Sequence, residues 1–384
     1  MVGEVARNMQ KIRIAFIKFG GLAAGGTEKY LQTLACNLPK DQFEVDYFYT
    51  EAVPLLGNSW KHPETNAERK KYMEDNNINL INIGCKARDD RNGPPHEWIE
   101  TDFWDLFDES KYDIVQTGRS GYTEFPFDRM NNSCFVDSIH GGGDQGVEKR
   151  NNIIKTVLLS KTHVDKWVSS GGEKHKVEII PPLVEFPHKR QSSLRQQLGI
   201  SDSVKVFGMH QRDCDSIFSS MPLEAYSLIE NENTAFIMLG GSERYKKQAQ
   251  QLGTNNAHFL DFTGDARKIS DFVSSLDVFA HGRFDGEVCS AAIIEALYHG
   301  KPVITHPAIN MGHLEQIEGC GFMVQNAPEY ASVMNNLVKN TELYDKLSKA
   351  SSEKYKNIYS LESCIKKYVS LYKKIINKEQ LQEK

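Results

Sequence analysis

Residues 277–300 read DVFAHGRFDGEVCSAAIIEALYHG, and the fold follows from how that stretch divides. Val278–Ala280 is a short apolar run, the mark of a buried strand. A polar loop with Arg283, Asp285 and Glu287 follows, and from Ser290 onward the apolar residues recur with helical spacing. The hydroxyl of Ser290 suits an N-cap, and Gly300 stands where a helix ends. Ile293, Ile294 and Leu297 share one helical face, while Glu295 sits more than a turn inside. Val288, Cys289, Ser290 and Ala291 span the loop-to-helix junction, whose free N–H groups attract phosphate. Glu287 precedes that junction and Glu295 follows it. Carboxylates accept hydrogen bonds from hydroxyls, so the pair suits a sugar joined to a diphosphate. Two solvated glutamates on an ordinary strand-loop-helix unit would read the same way.

The alternation of strand and helix extends outward on both sides, the pattern of an α/β doubly wound sheet. Downstream lies a strand at Pro302–Thr305. Upstream, Ala235–Gly241 is a buried strand with a glycine exit, His258–Thr263 is a strand ending around Phe262, and Val204–Gly208 leads to His210-Gln211-Arg212. Near the N-terminus, IRIAFIKF from Ile12 runs into the glycine loop Gly20–Gly26. A helix capped by Thr27 follows, with Tyr30, Leu31, Leu34, Ala35 and Leu38 as its buried stripe. Glycine-rich turns of this kind also occur as plain structural turns. Further strands are expected at Phe43–Tyr49, Tyr112–Gln116 and Ser133–Ile139. The last delivers His140 and then Gly141–Gly143 to the carboxyl edge of a sheet, where open α/β folds bind ligands, although a lone histidine is often structural. Residues 51–105 read as a long polar insertion. The expected division is 11–187, 188–360 and a closing helix at 361–384, with the linker near Pro187. In that helix Ile365, Tyr368, Val369, Tyr372 and Ile376 fall on one side and lysines on the other.

At 384 residues, 40% of them hydrophobic and 25% charged, the chain is long enough for two cores. A formal net charge of -5 weighs against nucleic acid as the partner. No apolar run approaches a bilayer span, and the first ten residues lack the apolar core of a secretory signal. Seven scattered cysteines without a C-x-x-C pair read as reduced thiols. The expectation is a cytoplasmic protein, peripheral at a membrane at most. Asp213-Cys214-Asp215 has the Asp-x-Asp form of a metal motif but sits in the loop after Arg212, where a surface loop is the simpler reading. Neither a metal nor a cofactor is expected.

Glu287, seven residues, then Glu295-Ala296-Leu297 and HGKPVI resembles the donor site of the retaining family 4 glycosyltransferases of GT-B fold. Asn310–Glu315 followed by Glu318–Phe322 is similar to the segment that closes the family's donor pocket. Gly25-Gly26-x-Glu28 with LQTLACNL resembles its first signature, strand-His140-glycine its N-domain histidine, and Ser160 with Val164 its serine-to-valine segment. Val177–Pro182 resembles its interdomain turn, with Pro182 and Leu183 in place of the usual Asn-Gly. The resemblance implies two Rossmann-like domains facing a central cleft, the terminal helix crossing back to the first. It implies transfer of a sugar from a nucleoside diphosphate sugar to a hydroxyl acceptor: a glycan, a lipid-linked sugar or a small molecule.

By the same resemblance Glu295 binds ribose and Glu287 the donor sugar's hydroxyls. Arg212 and the junction Val288–Ala291 hold the diphosphate, and the strand ending at Phe262 meets the base. His140 bonds the sugar from the first domain, and Gly25 and Gly26 let backbone meet acceptor or phosphate. His140, Glu287 and Arg212 are thus the expected catalytic group. Two departures stand out. The family's lysine five residues after the arginine falls on Ile217, leaving Arg244 or Arg283 as substitutes, and Cys289 and Ser290 replace a usual Phe and Gly. A GT-B nucleotide-sugar epimerase and a non-catalytic sugar-nucleotide or glycan binder are the alternatives, and paired carboxylates also fit a glycoside hydrolase.

Overall fold

Apolar runs of three to seven residues, too short for helices, become the strands of two parallel sheets. The computed structural model describes residues 11–18, 22, 25–50, 66–84, 87–88, 99–119, 130, 134–141, 152–189 and 192–382. Two compact units result: residues up to Leu183 together with those from Cys364 onward, and Val184–Ser363.

In the first unit the chain runs β1 (Ile12–Lys18), α1 (Gly26–Asn37), β2 (Phe43–Tyr49), α2 (Ala67–Asp75), β3 (Asn79–Asn82), β4 (Ala87–Arg88) and β5 (Ile99–Glu100). It continues through α3 (Phe103–Leu106), β6 (Ile114–Arg119), β7 (Phe135–Ile139), β8 (Ile153–Leu158), α4 (Lys161–Ser169) and β9 (Val177–Ile179). Seven strands form one sheet in the order β3-β2-β1-β6-β7-β8-β9, every pairing parallel. Ile14 to Ile17 of β1 are fully buried, as expected of a central strand with both faces covered.

The second unit runs α5 (Leu194–Gln197), β10 (Lys205–Gln211), α6 (Met221–Ser227), β11 (Thr234–Gly240), α7 (Glu243–Leu252), β12 (Ala257–Leu260) and α8 (Ala266–Ser275). Next come β13 (Val278–Ala280), β14 (Gly286–Glu287), α9 (Ala291–Tyr298), β15 (Val303–Thr305), β16 (Asn310–Met311) and α10 (Gly312–Ile317). It ends with β17 (Gly321–Met323), α11 (Ala327–Lys339) and α12 (Thr341–Lys354). Its six-stranded sheet has the order β12-β11-β10-β13-β15-β17. Phe207, Phe236, Ile293, Ile294, Leu297, Val303 and Ile304 belong to one core cluster, so the apolar face of α9 packs on this sheet. Helix α13 (Leu361–Gln382) closes the chain.

Both sheets reverse direction at one place, between β1 and β6 in the first and between β10 and β13 in the second. Strands that wind outward both ways leave a crevice at their carboxyl ends there, and open α/β sheets bind ligands in it.

Several local expectations change. Thr27 lies inside the first turn of α1, and Gly25 is the N-cap instead. The deeply buried stripe of α13 is Cys364, Ile365, Tyr368, Leu371, Tyr372 and Ile375, a 3.6-residue repeat centred on Tyr368, so Val369 and Ile376 are flankers. Phe186 stacks on Tyr298 at 5.0 Å, and the Pro187 carbonyl accepts from the Tyr298 hydroxyl at 3.0 Å. The segment expected as linker therefore packs on the second unit. Of the stretch 51–105 expected as an unassigned insertion, the described part contains α2, capped by Asn66, and β3 at the sheet edge. Gly20, Gly21, Ala23, Ala24, Ser133, Gly142 and Gly143 lie outside the described residues.

Candidate active site

Asp277 ties down the start of the deciding stretch. Its carboxylate accepts from the Val206 N–H at 2.8 Å and from Arg195 at 2.8 Å, joining β13 to β10 at their amino-terminal ends. At their carboxyl ends, across the crevice, Gln211 donates from its side chain to the Gly282 carbonyl and accepts from the Tyr245 hydroxyl at 3.1 Å.

After Gly282 the chain turns outward, and the loop is fastened along its length to the segment after β15. Arg283 grips Asp285 with two bonds, 2.9 and 2.7 Å, and reaches Glu287 with a third at 3.1 Å. Strand β14 pairs with β16. Gly286 has φ +63, and a Cβ there would collide with the Asn310 carbonyl, so glycine is required. Two residues after Asn310, a Cβ on Gly312 would strike the Val288 carbonyl, which keeps the two segments in direct backbone contact.

Helix α9 then begins as its sequence suggests. Ser290 Oγ accepts from the Ile293 N–H at 3.3 Å, while the Ser290 N–H itself is taken by Gln316 Oε1 at 2.6 Å. No hydrogen bond from within the described residues engages the N–H groups of Ala291 and Ala292, and Ala291 is exposed. Val288 and Cys289 are half-buried beside them.

Arg283 engages one oxygen of Glu287 and His281 Nε2 the other at 3.3 Å, with a further side-chain hydrogen bond to Ser290. Burial pushes its carboxyl up, but the His281 hydrogen bond and the Arg283 guanidinium outweigh that and bring it down to about 2. Burial keeps His281 neutral by lowering its basicity. Its Nε2 therefore carries the proton given to Glu287, and Nδ1 accepts from the Thr305 hydroxyl at 2.7 Å. Behind it, His306 Nδ1 meets the Pro307 carbonyl at 2.8 Å and so carries its proton there, leaving Nε2 to accept from the Ser219 hydroxyl at 2.7 Å. A neutral, desolvated histidine layer thus backs an ionised glutamate.

Glu295 is 6% exposed and faces His210 on the neighbouring strand. The closest approach, Nε2 to Oε2, is 3.5 Å, yet its alignment falls short of a hydrogen bond and Nε2 has no other partner. Both groups retain capacity for a ligand hydroxyl. Arg212 lies exposed just past β10. Ile217, in the register of the expected second cation, is 1% exposed and belongs to the core side. Neither suggested substitute is at liberty. Arg283 has its fork committed to Asp285 and Glu287, and Arg244 stacks 4.1 Å from the Phe218 ring centroid and donates to the Asp215 carbonyl at 3.4 Å. Phe262 lies beyond the end of β12, 62% exposed, against Gly240 at the carboxyl end of β11.

In the first unit the crevice holds Lys18, buried at the end of β1, which contacts the Gly118 carbonyl and Glu28, each at 3.5 Å. The Glu28 carboxylate folds back over Gly25, where a Cβ would collide with it, whereas Gly26 faces open space. His140 follows β7, with Nε2 3.2 Å from Ser138 Oγ and its ring edge-on to Tyr30 at 4.3 Å. Burial, aided by the nearby Lys18 charge, brings its basicity down to about 3, so the imidazole is neutral near pH 7. Arg119 and Asp137 form a buried ion pair at 2.9 Å.

Residues 219–354 match the family model for glycosyl transferases group 1. That stretch is similar to the family over the second unit only. The match begins at Ser219 and takes in Glu287, Ser290, Glu295 and Gln316. Solved structures align over almost the whole chain. The Rickettsia africae ESF-5 glycosyltransferase does so at TM-score 0.72 and 17% identity, covering 95% of this chain and 99% of its own. Anabaena Alr3699/HepE in complex with UDP-glucose aligns at 0.66 and 16%, covering 94% and 100%. Sucrose-phosphate synthase from Thermosynechococcus elongatus aligns at 0.68 and 16%, covering 96% and 100%. No curated protein matches the chain. The fold is GT-B, and the chain is a glycosyltransferase.

Within the matched residues the structure brings Glu287, Val288, Cys289, Ser290 and Ala291 together at the start of α9, with Glu295 one turn along. Gly25, Gly26 and His140 gather at the other sheet's carboxyl edge. Gln316, His281, His210 and Lys18 were not singled out beforehand. A polar residue at the end of a buried strand would have flagged His210, His281 and Lys18, whereas no local signal marks Gln316.

Proposed function

We propose that the glycosyltransferase moves a sugar from a nucleoside diphosphate sugar to a hydroxyl acceptor, with retention at the anomeric carbon and without a metal, as in family 4. The observation that carries this reading is the start of α9: two unengaged amides, Ala291 and Ala292, flanked by the ionised Glu287 and the buried Glu295. Amides at a helix start stabilise the charge that grows on a departing diphosphate, and Arg212 adds a guanidinium to it. Glu295 with His210 receives ribose hydroxyls. Glu287, set by Arg283 and His281, accepts from the donor sugar. His140, neutral, serves as a hydrogen-bonding group rather than a cation. Gly25 and Gly26 offer backbone to acceptor or phosphate, and Phe262 offers a ring face to the base. The UDP-glucose held by the Anabaena structure supports the donor class.

The acceptor is proposed as a glycan or glycolipid met in the cytoplasm. Among the described residues no helix is long and apolar enough to cross a membrane, and the exposed Lys366, Lys373 and Lys374 of α13 leave room for contact with an anionic surface.

A thermal-shift panel of nucleotide-sugars identifies the donor, because a ligand bound only by the folded chain raises its melting temperature. Acceptor-dependent release of nucleoside diphosphate then tests transfer. A second reading, a binder that does not turn its donor over, is favoured by one observation: Ile217 is buried where a second cation is expected. Saturable binding with no release under any acceptor would establish that reading instead.

A further inference from the structure

We propose that Gln316 is a positioning residue that aims the anion-facing end of α9. The inference rests on the reading of that end as a diphosphate site, and extends it to a side chain on a different helix.

The Gln316 carboxamide is 1% exposed and clasps a single residue. Its Oε1 accepts from the Ser290 N–H at 2.6 Å, and its Nε2 donates to the Ser290 carbonyl at 2.9 Å. Ser290 is the extended N-cap of α9, with φ -83 and ψ 118. Bonding its N–H and its C=O together fixes the direction in which the next two amides point. The same serine caps through Oγ, and its carbonyl also accepts from the Ile294 N–H at 3.1 Å. The N–H groups of Ser290, Ile293 and Ile294 are thus taken, whereas among the described residues those of Ala291 and Ala292 have no partner.

The clasp reaches out from a supported element. Lys354 donates to the Glu315 and Glu318 carbonyls at 2.7 and 2.8 Å, holding both ends of the turn in which Gln316 sits. Only an uncharged amide offers one donor and one acceptor side by side. An ionised glutamate would set an acceptor against the Ser290 carbonyl and a negative charge near the phosphate, and an apolar side chain would leave a buried N–H unpaired. Side chains that act this way determine the geometry of a site they never touch.

The test uses the full-length chain and whichever of UDP, GDP and ADP it binds most tightly, measured by titration calorimetry beside the matching free nucleoside. Gln316→Met and Gln316→Asn should each weaken the diphosphate about tenfold, the scale of one lost hydrogen bond, and leave nucleoside affinity unchanged. Melting curves establish that each variant folds; Gln316→Asn adds no charge, keeps a carboxamide one carbon short of Ser290 and carries the test if Gln316→Met does not fold. Unchanged diphosphate affinity, or equal losses for diphosphate and nucleoside, would overturn the positioning role while leaving the donor site standing. Failure of the wild-type chain to bind any of the three removes the donor-site reading and this proposal with it.

Discussion

The two sheets share a strand order, yet the crevices at their direction reversals are finished in opposite ways. In the first unit Lys18 bridges to Gly118 and Arg119 pairs with Asp137, all within a few per cent of full burial. Tyrosines cover them: Tyr30 and Tyr368 join hydroxyls at 2.7 Å, and Tyr372 donates to Gln116 at 2.8 Å. In the second unit Gln211 makes the corresponding bridge to Gly282, but beyond it Arg212 and Phe262 are exposed and Glu287 is half-buried. One crevice has its charges neutralised inside the protein; the other presents its charges, and its free amides, at the rim. The scaffold supplies the place, and the side chains at the strand ends decide whether its charges are met inside the protein or presented at the rim.

Breaking the buried pair should have the largest effect. Arg119→Met removes the guanidinium paired with the buried Asp137 carboxylate, a loss of about 3–5 kcal/mol. All four tryptophans, Trp60, Trp98, Trp104 and Trp167, precede Leu183, so their fluorescence in a urea titration reads the first unit. Arg283→Met, whose partners are 35% and 20% exposed, should cost far less stability while lowering transfer. Equal stability losses would erase the distinction between the two crevices.

The carboxylates at the open rim come next. Glu287→Gln should slow transfer about 10- to 100-fold, the range for a hydrogen bond to a charged group, while sparing affinity for the bare nucleoside diphosphate. Glu295→Gln should weaken that affinity. Indistinguishable effects of the two changes on both quantities would remove their separate roles.

Acid should separate the units more gently. His140, down at about 3, and His163, at about 4, are neutral when folded, whereas the unfolded chain takes up protons near 6.5. Their contribution is complete above that value and is lost as pH falls toward the folded values. Glu287, at about 2, contributes fully above its unfolded value of about 4.3 and loses that contribution as pH falls toward 2. Urea midpoints across this range should show His140→Gln flattening the upper limb and Glu287→Gln the lower. A wild-type profile retained in both variants would contradict these assignments. The smallest expected effect is that of a chelator: with Arg212 and the α9 amides supplying the positive charge, EDTA should leave transfer unchanged, and a strict requirement for added divalent ion would overturn the metal-free reading.

Much of the fold is legible in the chain because its signals are local. Ser290 and Gly300 mark helix ends where the structure has them, and the short apolar runs are strands. The misreadings share a cause. Thr27 looked like a cap because threonine is a good one, but the helix already begins at Gly26, with the extended Gly25 as its N-cap. Arg283 looked available as a phosphate ligand because its loop is polar, but Asp285 lies two residues away and Glu287 four, and the loop's turn folds both onto its guanidinium.

What the sequence determined by itself is therefore the alternation of strand and helix, the two-sheet plan, and the placement of Glu287 and Glu295 either side of a helix start, all consequences of periodicity and capping over a few residues. Tertiary structure alone decided which of these groups are engaged. Gln316 reaches Ser290 across 26 residues of chain, and Tyr368 reaches Tyr30 across 338. Such contacts arise where separately formed elements pack, so no local pattern encodes them, and they determine which amides and carboxylates remain free for a ligand.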